Sequence, residues 1–470
     1  MTNYTHLPFN FKGLQDDKYL VSNLAGQHQH LSKLDFDNLI HSKYNQIEQK
    51  SLDSLESKHF ITPKNEAKMR ESIIASKLAL RIQNSLKRPT LFMVVPTLRC
   101  DHDCHYCQVS RVTENKKGYD LEEKHINGIL EHIEFLSDKH IKIEFQGGEP
   151  LLNFNFIKNF FDTAKIKLAG KHIEFVIATA LGPINNEMLE WIEQNNIHLS
   201  VSFDGPEFIH SNNRPSKKFN SYENTVSNVH LIKKYFKGID ISLLSTITKQ
   251  SLQHPQKIVD SYLELGTKNL FIRPLSPYGF ATDTWGILGY SANEFMDFYK
   301  ELINYIQELP ENIIEHSALF HLNRIFSQST SYVDLKSPAG IVFGAICFDY
   351  NGNIFGSDES RMLWTSTKAD ELIIGHIADE PRNTYTKPNL IALLRDTFVE
   401  VNPGCNDCVY SQFCGADPIH HLATQGDLIG HKARSFFCQI ETQMFDFIFN
   451  EYYLNNQNRK MFDGWLSNGS

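Results

Sequence analysis

Three cysteines stand close together in a pattern that could hold a reactive inorganic centre. Cys100, Cys104 and Cys107 form a C-x3-C-x2-C triplet within residues 97–107. Thiolates with this spacing can all reach one compact cluster, and a cubane of four irons then keeps one iron without a protein ligand. Because an open iron can bind a small molecule and reduce it, the triplet predicts a reactive site rather than a purely structural one.

Zinc and disulfide bonds are the alternatives for these cysteines. Structural zinc sites usually close with four ligands, and His102 or His105 could supply the fourth. A disulfide framework is disfavoured because the chain has only 8 cysteines in 470 residues and no apolar signal segment opens it. The triplet therefore favours a cluster, with zinc as the minority alternative.

The elements around the triplet are predicted to place it at the edge of a sheet. Residues 91–97 form a short apolar run that is typical of a buried strand, and the triplet follows its C-terminal end. Residues 141–146 alternate as a second strand and lead into a Gly-Gly-Glu-Pro turn, Gly147–Pro150. Two glycines let the backbone turn sharply and approach a ligand closely, and Glu149 adds a carboxylate.

Further strand-like runs, with helical segments between them, complete a regular pattern. They cover residues 172–179, 197–203, 239–247 and 269–274. Six β/α units predict a parallel sheet with right-handed crossovers, and hence an α/β fold built on a partial (β/α)6 TIM-like barrel. In such barrels ligands collect at the C-terminal ends of the strands, where both the triplet and the glycine turn lie.

The triplet and the glycine turn together resemble the radical S-adenosylmethionine (SAM) enzymes. The resemblance implies that Cys100, Cys104 and Cys107 hold a 4Fe–4S cluster whose open iron is chelated by the methionine part of SAM. It also implies that Tyr106 lies near adenine and that the glycine turn contacts the methionine ammonium, for which carboxylate and carbonyl oxygens are suitable acceptors. The residues implied at SAM are Tyr106, Gly147, Gly148, Glu149, Pro150, Ser202, Asp204 and Arg214.

The last three of these residues follow the fourth strand-like run. The resemblance implies that Ser202 and Asp204 lie near the ribose and carboxylate of SAM, and that Arg214 pairs with that carboxylate through its planar fork. Asp204 also belongs to an Asp-Gly-Pro turn, so a purely structural role is an open alternative. The third run departs from many peptide-modifying members, since residues 179–182 are Thr-Ala-Leu-Gly instead of Thr-Asn-Gly, and that asparagine contact is not carried over.

A second set of cysteines lies near the C-terminal end of the chain. It consists of Cys405, Cys408, Cys414 and Cys438, and we call it the quartet. Four thiolates that close a cluster leave no iron open, which suits electron transfer or structure more than substrate binding. The pattern resembles the SPASM extension of peptide-modifying radical SAM enzymes and implies an auxiliary 4Fe–4S cluster, with a four-cysteine zinc site as the alternative.

The SPASM resemblance is partial. That extension usually carries seven cysteines and two auxiliary clusters, but Ser357 and Pro418 stand where two of the cysteines are expected. One auxiliary cluster is therefore predicted to be lost and the quartet to be retained. The remaining cysteine, Cys347, lies in an apolar run and is expected to be a small buried core thiol rather than a ligand.

The region before residue 89 is expected to form a small α+β domain. A strand is predicted over 17–24, a turn at Gly26, a helix from Ser32 to about His41 with a capping box to Asp35, and a second helix over 54–60. This order resembles a winged-helix peptide-recognition domain, which binds a leader peptide as an added strand; a structural cap is the alternative. The expected domains are 1–88, a radical SAM core over 89–310 and a SPASM-like domain over 311–470.

Composition and charge restrict the partners. The net charge of −9 argues against a broad nucleic-acid surface. No apolar run is long enough to span a bilayer. Both cysteine sets need reduced thiols, so a cytoplasmic location and oxygen-sensitive iron are expected.

Among radical SAM enzymes the chain is most similar to the His-Xaa-Ser system maturases, through residues 273–279 and 357–362 as well as the two cysteine sets. This implies reductive cleavage of SAM to a 5′-deoxyadenosyl radical and modification of a small ribosomally made peptide. The implied partners are the precursor peptide, an electron donor such as flavodoxin or ferredoxin, and a companion maturase. No catalytic acid or base is assigned. An anaerobic sulfatase-maturase-like enzyme and a zinc-stabilised binding protein are the alternatives.

Overall fold

The computed structural model describes residues 4–86, 88–327, 337, 340–395 and 397–468. The N-terminal region contains β1 (Tyr4–His6), β2 (Asn10–Gly13), β3 (Lys18–Ser22), β4 (His28–Ser32), α1 (Lys33–Ile40), α2 (Gln49–Ser57), β5 (Ile61–Pro63) and α3 (Ala67–Ser85). The middle region contains β6 (Leu91–Thr97), β7 (Arg99–Cys100), β8 (Val112–Thr113), α4 (Ile126–Leu136), β9 (His140–Gly147), α5 (Phe154–Lys167), β10 (His172–Thr179), α6 (Asn186–Gln194), β11 (His198–Ser202), α7 (Glu207–Asn213), α8 (Ser221–Tyr235), β12 (Ile241–Thr246), α9 (Pro255–Glu264), β13 (Asn269–Leu270), β14 (Ile272–Arg273), α10 (Phe280–Leu288) and α11 (Ala292–Glu308). The C-terminal region contains β15 (Ile314–Glu315), α12 (His316–Leu322), α13 (Gly340–Phe343), β16 (Ala345–Phe348), β17 (Asn353–Phe355), α14 (Asp358–Thr367), β18 (Ile373–His376), α15 (Pro381–Thr384), α16 (Pro388–Arg395), α17 (Pro418–Gln425), α18 (Phe436–Leu454) and α19 (Asn456–Asn468).

A nine-stranded sheet forms the centre of the molecule, in the order β14-β12-β11-β10-β9-β6-β16-β17-β18. The strands from β14 to β16 are parallel, and β17 and β18 add an antiparallel margin. Helices return the chain between successive parallel strands, as the predicted β/α units require. The predicted α/β fold with a partial barrel is therefore the observed one.

Strand β9 shows how the sequence builds both faces of this sheet. Its alternate residues Ile141, Ile143 and Phe145 are buried, while Lys142, Glu144 and Gln146 are only partly buried and line a cavity. Successive side chains of a strand point to opposite faces, so one face packs against helices and the other lines the inside of the barrel. The barrel interior is consequently polar along this strand.

The sheet differs from the prediction at both ends. The sixth run divides into two short strands: β13 pairs with β15, and β14 completes the central sheet. At the division the Ile272 backbone amide donates to the side-chain carboxylate of Glu315 at 3.2 Å. At the other end β16 pairs in parallel with β6, although its residues follow the predicted core boundary at 310. The C-terminal region thus adds three strands to the central sheet.

The N-terminal region has its own apolar core, which includes Val21, Leu31, Phe36 and Phe60. Strands β2, β3 and β4 form an antiparallel sheet, and β1 pairs with β5. Ser32 caps α1 by accepting the Asp35 amide at 3.1 Å, as predicted.

Two details of this region depart from the sequence expectations. The Asp35 carboxylate accepts the Glu48 amide and the Ser51 hydroxyl instead of the Ser32 amide, so the predicted capping box is only half formed. Helix α3 was not predicted, because only Ile74 among its residues is buried and an apolar stripe is therefore weak.

Within the residues that the structure describes, no helix combines the length and the apolar character needed to cross a bilayer.

Candidate cofactor sites

The cysteine triplet occupies the loop that leaves β6 at its C-terminal end. Cys100 ends β7, which pairs with β8. The backbone between the cysteines is held from outside the loop: the Asp103 amide donates to the Pro215 carbonyl at 2.7 Å, and the His105 amide donates to the Asn213 carbonyl at 3.0 Å. The loop is therefore fixed by the end of α7 and the residues that follow it, and its shape does not depend on the cysteines alone.

The donor set of this loop suits a cluster better than a single zinc ion. Burial raises the pKa of Cys104 to about 12 and also raises the pKa of Cys100, so these thiols need a metal partner to become thiolates. Ligands of tetrahedral zinc lie only about 3.8 Å apart at a Zn–S distance near 2.3 Å. In the described parts of the chain, three ligand atoms within 4.8 Å of one another occur only at Cys100, Asp101 and His102. At least two of the three cysteine sulfurs are therefore more than 4.8 Å apart, a separation that suits a four-iron cluster better than one zinc ion.

The neighbouring His102 is committed to other contacts. Its Nδ1 lies 2.7 Å from the Asp101 carboxylate and its Nε2 lies 3.1 Å from the Ser221 hydroxyl. The same hydroxyl lies 3.0 Å from Nε2 of His210, which is fully buried. With both ring nitrogens occupied, His102 is unsuited to the zinc-ligand role considered from the sequence. Sequence reasoning missed this buried chain because His102 and Ser221 are 119 residues apart in the sequence.

The glycine turn packs directly on the triplet loop. In the sheet register Thr97 lies opposite Gly147, the Gly148 amide donates to the Thr97 carbonyl at 3.0 Å, and the Glu149 amide donates to the Arg99 carbonyl at 2.8 Å. Gly147 has a φ of +132°, and a Cβ on Gly148 would overlap the Arg99 carbonyl oxygen. The two glycines are required for this close backbone approach, which brings the turn and the triplet side by side. Pro150, which is buried, begins the short helical turn after them.

Glu149 is a buried carboxylate at the centre of this arrangement, with 1% of its surface exposed. One oxygen accepts the Thr179 hydroxyl at 2.8 Å, and the other accepts the Ala180 amide at 2.9 Å. Burial, together with the nearby Asp101 carboxylate, raises the pKa of Glu149 to about 8. A cation placed beside these two carboxylates would favour their charged forms, so the site fits an ammonium group.

Asp204 is entirely buried, and its carboxylate is saturated by donors from the protein. It accepts a two-point ion pair from Arg214, with distances of 3.0 and 3.1 Å, and the Tyr106 hydroxyl at 2.6 Å. The side-chain amide of Asn213 and the backbone amide of Thr246 also donate to the Asp204 carboxylate. Asp204 thus holds Tyr106 and Arg214 in place, which favours the structural alternative over a direct contact with SAM.

The other predicted SAM residues lie around this ion pair. The Arg214 guanidinium stands 5.2 Å from the centre of the Tyr106 ring, and its charge lowers the pKa of Cys104 against the effect of burial. Ser202 is the last residue of β11 and, like Ser200, belongs to the partly buried face that lines the barrel. Tyr106, Arg214 and the triplet therefore lie close together, whereas Ser202 lies on the strand face that lines the inside of the barrel.

The four cysteines of the quartet line one small cavity of about 40 Å³. Cys405, Cys408 and Cys414 come from one loop, and Cys438 comes from the first turn of α18. Burial raises the pKa of all four thiols, and that of Cys405 to about 11, so these sulfurs also need a metal to become thiolates. The set fits one closed metal centre.

The N-terminal sheet packs on the quartet loop. The side-chain amide of Asn10, on β2, donates to the backbone carbonyls of Asn406 and Cys408 at 3.0 and 3.1 Å. Lys12 forms an ion pair of 2.6 Å with Asp446 of α18, and its charge lowers the pKa of Cys408. The loop with the first three quartet cysteines is thus fixed partly by residues at the opposite end of the chain.

Ser357 and Pro418, which stand where the SPASM pattern predicts cysteines, are both at the start of a helix. Ser357 caps α14 by accepting the Ser360 amide at 3.2 Å, and Pro418 is the first residue of α17. The two helices pack against each other. Cys347 is fully buried nearby, as expected, with its sulfur 3.9 Å from the Asp358 carboxylate.

The interior of the barrel forms a chamber of about 800 Å³. Three histidines, His140, His172 and His198, stand where β9, β10 and β11 begin, at one end of this space. The charged residues that line the chamber are Lys142, Glu144, Glu174, Arg273, Asp358, Glu359 and Asp417. Its size is in the range of small-molecule and side-chain binding sites.

Residues 94–261 match the sequence model of the family described as the Radical SAM superfamily. Residues 94–261 form a radical SAM domain. Both the triplet and the glycine turn lie inside it, on adjacent strand ends. The fold class and the expectation that the chain is a radical SAM enzyme are confirmed, and this contradicts the alternative of a binding protein without catalysis.

The chain is also similar in sequence to individual proteins. The chain is 30% identical over 182 residues to an uncharacterised protein of Methanocaldococcus jannaschii, which covers 38% of this chain and 61% of that protein. It is 20% identical over 370 residues to a cysteine-type anaerobic sulfatase-maturating enzyme of Clostridium novyi, which covers 75% of this chain and 95% of that enzyme.

Two solved structures share the fold. Native anSMEcpe with bound AdoMet superimposes with a TM-score of 0.64 at 16% identity, over 79% of this chain and 100% of that one. SuiB of Streptococcus suis bound to its precursor peptide SuiA superimposes with a TM-score of 0.55 at 14% identity, over 93% of this chain and 100% of that one. At these identities the likeness concerns architecture, and the cysteine ligands and SAM contacts of this chain stay predictions.

Proposed function

We propose that this radical SAM enzyme modifies a ribosomally made peptide after translation. The observation that carries the proposal is the joining of the triplet loop to the glycine turn, through the Gly148–Thr97 and Glu149–Arg99 backbone hydrogen bonds. Cys100, Cys104 and Cys107 would hold a 4Fe–4S cluster, and the turn would bind SAM beside it. Bound together, the cluster and SAM supply reductive cleavage of the sulfonium and a 5′-deoxyadenosyl radical.

The protein residues around this site would bind and orient SAM. Glu149 would accept the methionine ammonium, since two buried carboxylates close together favour a cation. Arg214 would pair with the SAM carboxylate, while Asp204 keeps its guanidinium plane and the Tyr106 ring in fixed positions. Ser202, at the interior end of β11, would reach the ribose.

The quartet would hold an auxiliary 4Fe–4S cluster. All four of its thiols line one small cavity, and a set of four thiolates that closes a cluster is suited to electron transfer or to structure. An external donor of the flavodoxin or ferredoxin type would supply electrons, and the thiols of both sets require the reducing cytoplasm.

The N-terminal region, residues 1–88, would recognise the precursor peptide. Its three-stranded antiparallel sheet with following helices suits binding of an extended peptide at a strand edge. SuiB, with a similar architecture, has been solved with its precursor peptide bound. We extend the proposal to a small peptide of the His-Xaa-Ser type and to a companion maturase, on the strength of the sequence resemblance.

A sulfatase-type maturase is the second candidate. It is favoured by the alignment with the Clostridium novyi enzyme over 75% of this chain. Against it stand Ser357 and Pro418, which replace two of the cysteines expected for a full set of auxiliary clusters. The two candidates differ in substrate: an affinity experiment with residues 1–88 should retain a short precursor peptide in the first case and a sulfatase segment in the second.

The radical SAM activity is tested by replacing one triplet cysteine. Cys104→Ala, reconstituted anaerobically with iron and sulfide, should lose reductive formation of 5′-deoxyadenosine from SAM, whereas Cys347→Ala should retain it because Cys347 is a buried thiol outside both sets. Metal analysis accompanies the assay, since a four-cysteine zinc site is the alternative for the quartet. Unchanged SAM cleavage in Cys104→Ala would contradict the assignment.

A further inference from the structure

A second cavity, of about 100 Å³, lies beside the barrel chamber, and we call it the side cavity. Arg273, Glu359 and Asp417 line both spaces, so the side cavity adjoins the chamber at these residues. About 10–15 Å³ of cavity volume holds one water molecule, so the side cavity has room for a group of about seven heavy atoms. A space of this size next to the chamber can take one side chain of a bound peptide.

His420, on α17, lines the side cavity and is only 4% exposed. Both of its ring nitrogens are buried, and neither has a hydrogen-bond partner within the described part of the chain. Burial lowers the pKa of His420 to about 4, so the ring is neutral near neutral pH and offers one N–H donor and one acceptor nitrogen. A buried polar group without a partner is unfavourable, so a ligand that completes its hydrogen bond gains affinity.

Two other polar side chains of the side cavity are already engaged. The His321 ring has its Nδ1 2.7 Å from a backbone carbonyl of α12 and its Nε2 2.8 Å from the Glu441 carboxylate. The Tyr299 hydroxyl donates to the buried Glu315 carboxylate, which lies outside the lining. Of the two histidines that line the side cavity, His420 is therefore the one that can bind a ligand.

The walls next to His420 are aromatic. The ring centres of Phe436 and Phe437 lie 6.5 and 6.2 Å from that of His420. Phe295 and Tyr299 line the same space from α11. Aromatic walls pack favourably against another ring. A ligand that suits both the walls and His420 has an aromatic ring with a neutral hydroxyl, as the phenol of tyrosine does.

The side cavity lies between the two cysteine sets. On one side it is lined by the loop that follows β14, up to Tyr278, and two residues later the Phe280 amide donates to the Cys107 carbonyl at 2.8 Å. On the other side Phe437 lines both the side cavity and the quartet cavity and directly precedes Cys438. A ring held in the side cavity is thus presented to both sets.

We infer that the side cavity binds a tyrosine side chain of the peptide substrate, with the phenol hydroxyl hydrogen-bonded to His420. This inference rests on the proposed function and names the class of side chain that the site selects. The test uses the full-length reconstituted enzyme and two acetylated peptides, Gly-Ser-Xaa-Ser-Gly amides in which Xaa is tyrosine or phenylalanine. Competition binding should favour tyrosine about fivefold, since phenylalanine lacks only the hydroxyl and its hydrogen bond.

Variants of the side cavity locate this preference. His420→Phe should abolish it and keep the iron content, because the His420 side chain has no hydrogen bond to lose. His420→Gln keeps a donor and an acceptor and should retain a preference of about twofold. Met444→Trp, which fills the side cavity, should weaken both peptides more than about tenfold. His230→Phe, at an exposed position of α8, is the control and should leave the ratio unchanged.

Several results would overturn the inference. They are equal binding of the two peptides by the wild-type enzyme, no binding of either, a tyrosine preference that survives in His420→Phe, and unchanged binding in Met444→Trp. The adenine of SAM is also a ring with hydrogen-bonding edges, so SAM affinity is measured in His420→Phe; a loss confined to SAM overturns the inference as well. The proposed function fails separately, if the wild-type enzyme forms no 5′-deoxyadenosine from SAM and dithionite without peptide.

Discussion

The triplet and the quartet have similar ligands but opposite surroundings. The triplet lies on one short loop among buried charges, with Arg214 and Asp204 on one side and Glu149 on the other. The quartet joins a loop to α18 around a cavity that also includes Tyr410, Phe437 and Phe445. The buried charges around the first set can orient a charged ligand. The lining of the quartet cavity is mainly aromatic rings and small residues, with Lys432 as a charged member, and it is suited to enclose a centre.

The two sets are also fixed by different parts of the chain. The triplet loop is held by neighbours inside the radical SAM domain, including the Pro215 carbonyl and the glycine turn. The quartet loop is held by the N-terminal sheet, through Asn10 and through Ser22, whose hydroxyl donates to the Val409 carbonyl. This difference indicates that changes in the N-terminal region should act on the quartet and leave the triplet intact.

The largest expected contrast is between one cysteine of each set. Cys100→Ala should lower SAM cleavage by more than about a thousandfold, because the loss of an essential active-site group has effects of this size. Cys414→Ala should keep SAM cleavage within about tenfold while abolishing peptide modification. Both are measured by 5′-deoxyadenosine and peptide mass. Equal loss of SAM cleavage in the two variants would show that the sets are not independent.

A glycine substitution should separate the sets without removing a ligand. In Gly148→Ala the new Cβ overlaps the Arg99 carbonyl oxygen, so the triplet loop must move. We expect about half of the iron to be lost and the quartet spectrum to remain, as measured by iron content and paramagnetic resonance. Gly464→Ala, with no atom near the new Cβ, is the matched control. Full iron content in Gly148→Ala would contradict this packing argument.

Breaking the buried ion pair behind the triplet should destabilise the fold. Arg214→Met leaves the fully buried Asp204 without its main partner, at a cost of about 3–5 kcal/mol in the free energy of unfolding. Lys124→Met, which breaks an exposed pair with Glu122, should cost less than about 1 kcal/mol. Denaturant unfolding of the metal-free chains measures both, and similar values for the two would argue against the positioning role of Asp204.

The smallest expected effect concerns the N-terminal sheet. Lys12→Met removes a positive charge near Cys408, so the midpoint potential of the quartet cluster should become more negative, while the triplet potential stays unchanged. Lys18→Met, on the neighbouring strand β3, is the control. A potentiometric titration followed by paramagnetic resonance measures the shift. An equal shift at the triplet would mean that the N-terminal sheet does not act locally.

Local patterns accounted for most of the fold and for the position of the triplet loop at the end of a strand. The apolar run 91–97, the alternation over 141–146 and the spacing of Cys100, Cys104 and Cys107 are all short-range features, and the observed β6, β9 and triplet loop follow them. Helix α3 and strand β16 were missed, because a mostly exposed helix and a four-residue strand carry little periodic signal.

The sequence by itself determined the chemistry that the two cysteine sets can support, because ligand type and spacing are local properties. Only the tertiary structure decided which charges surround them. Asp204 meets Tyr106 across 98 residues, and Asn10 meets Cys408 across 398 residues. Contacts of this kind depend on how strands and loops come together in the folded chain, so no spacing in the sequence encodes them.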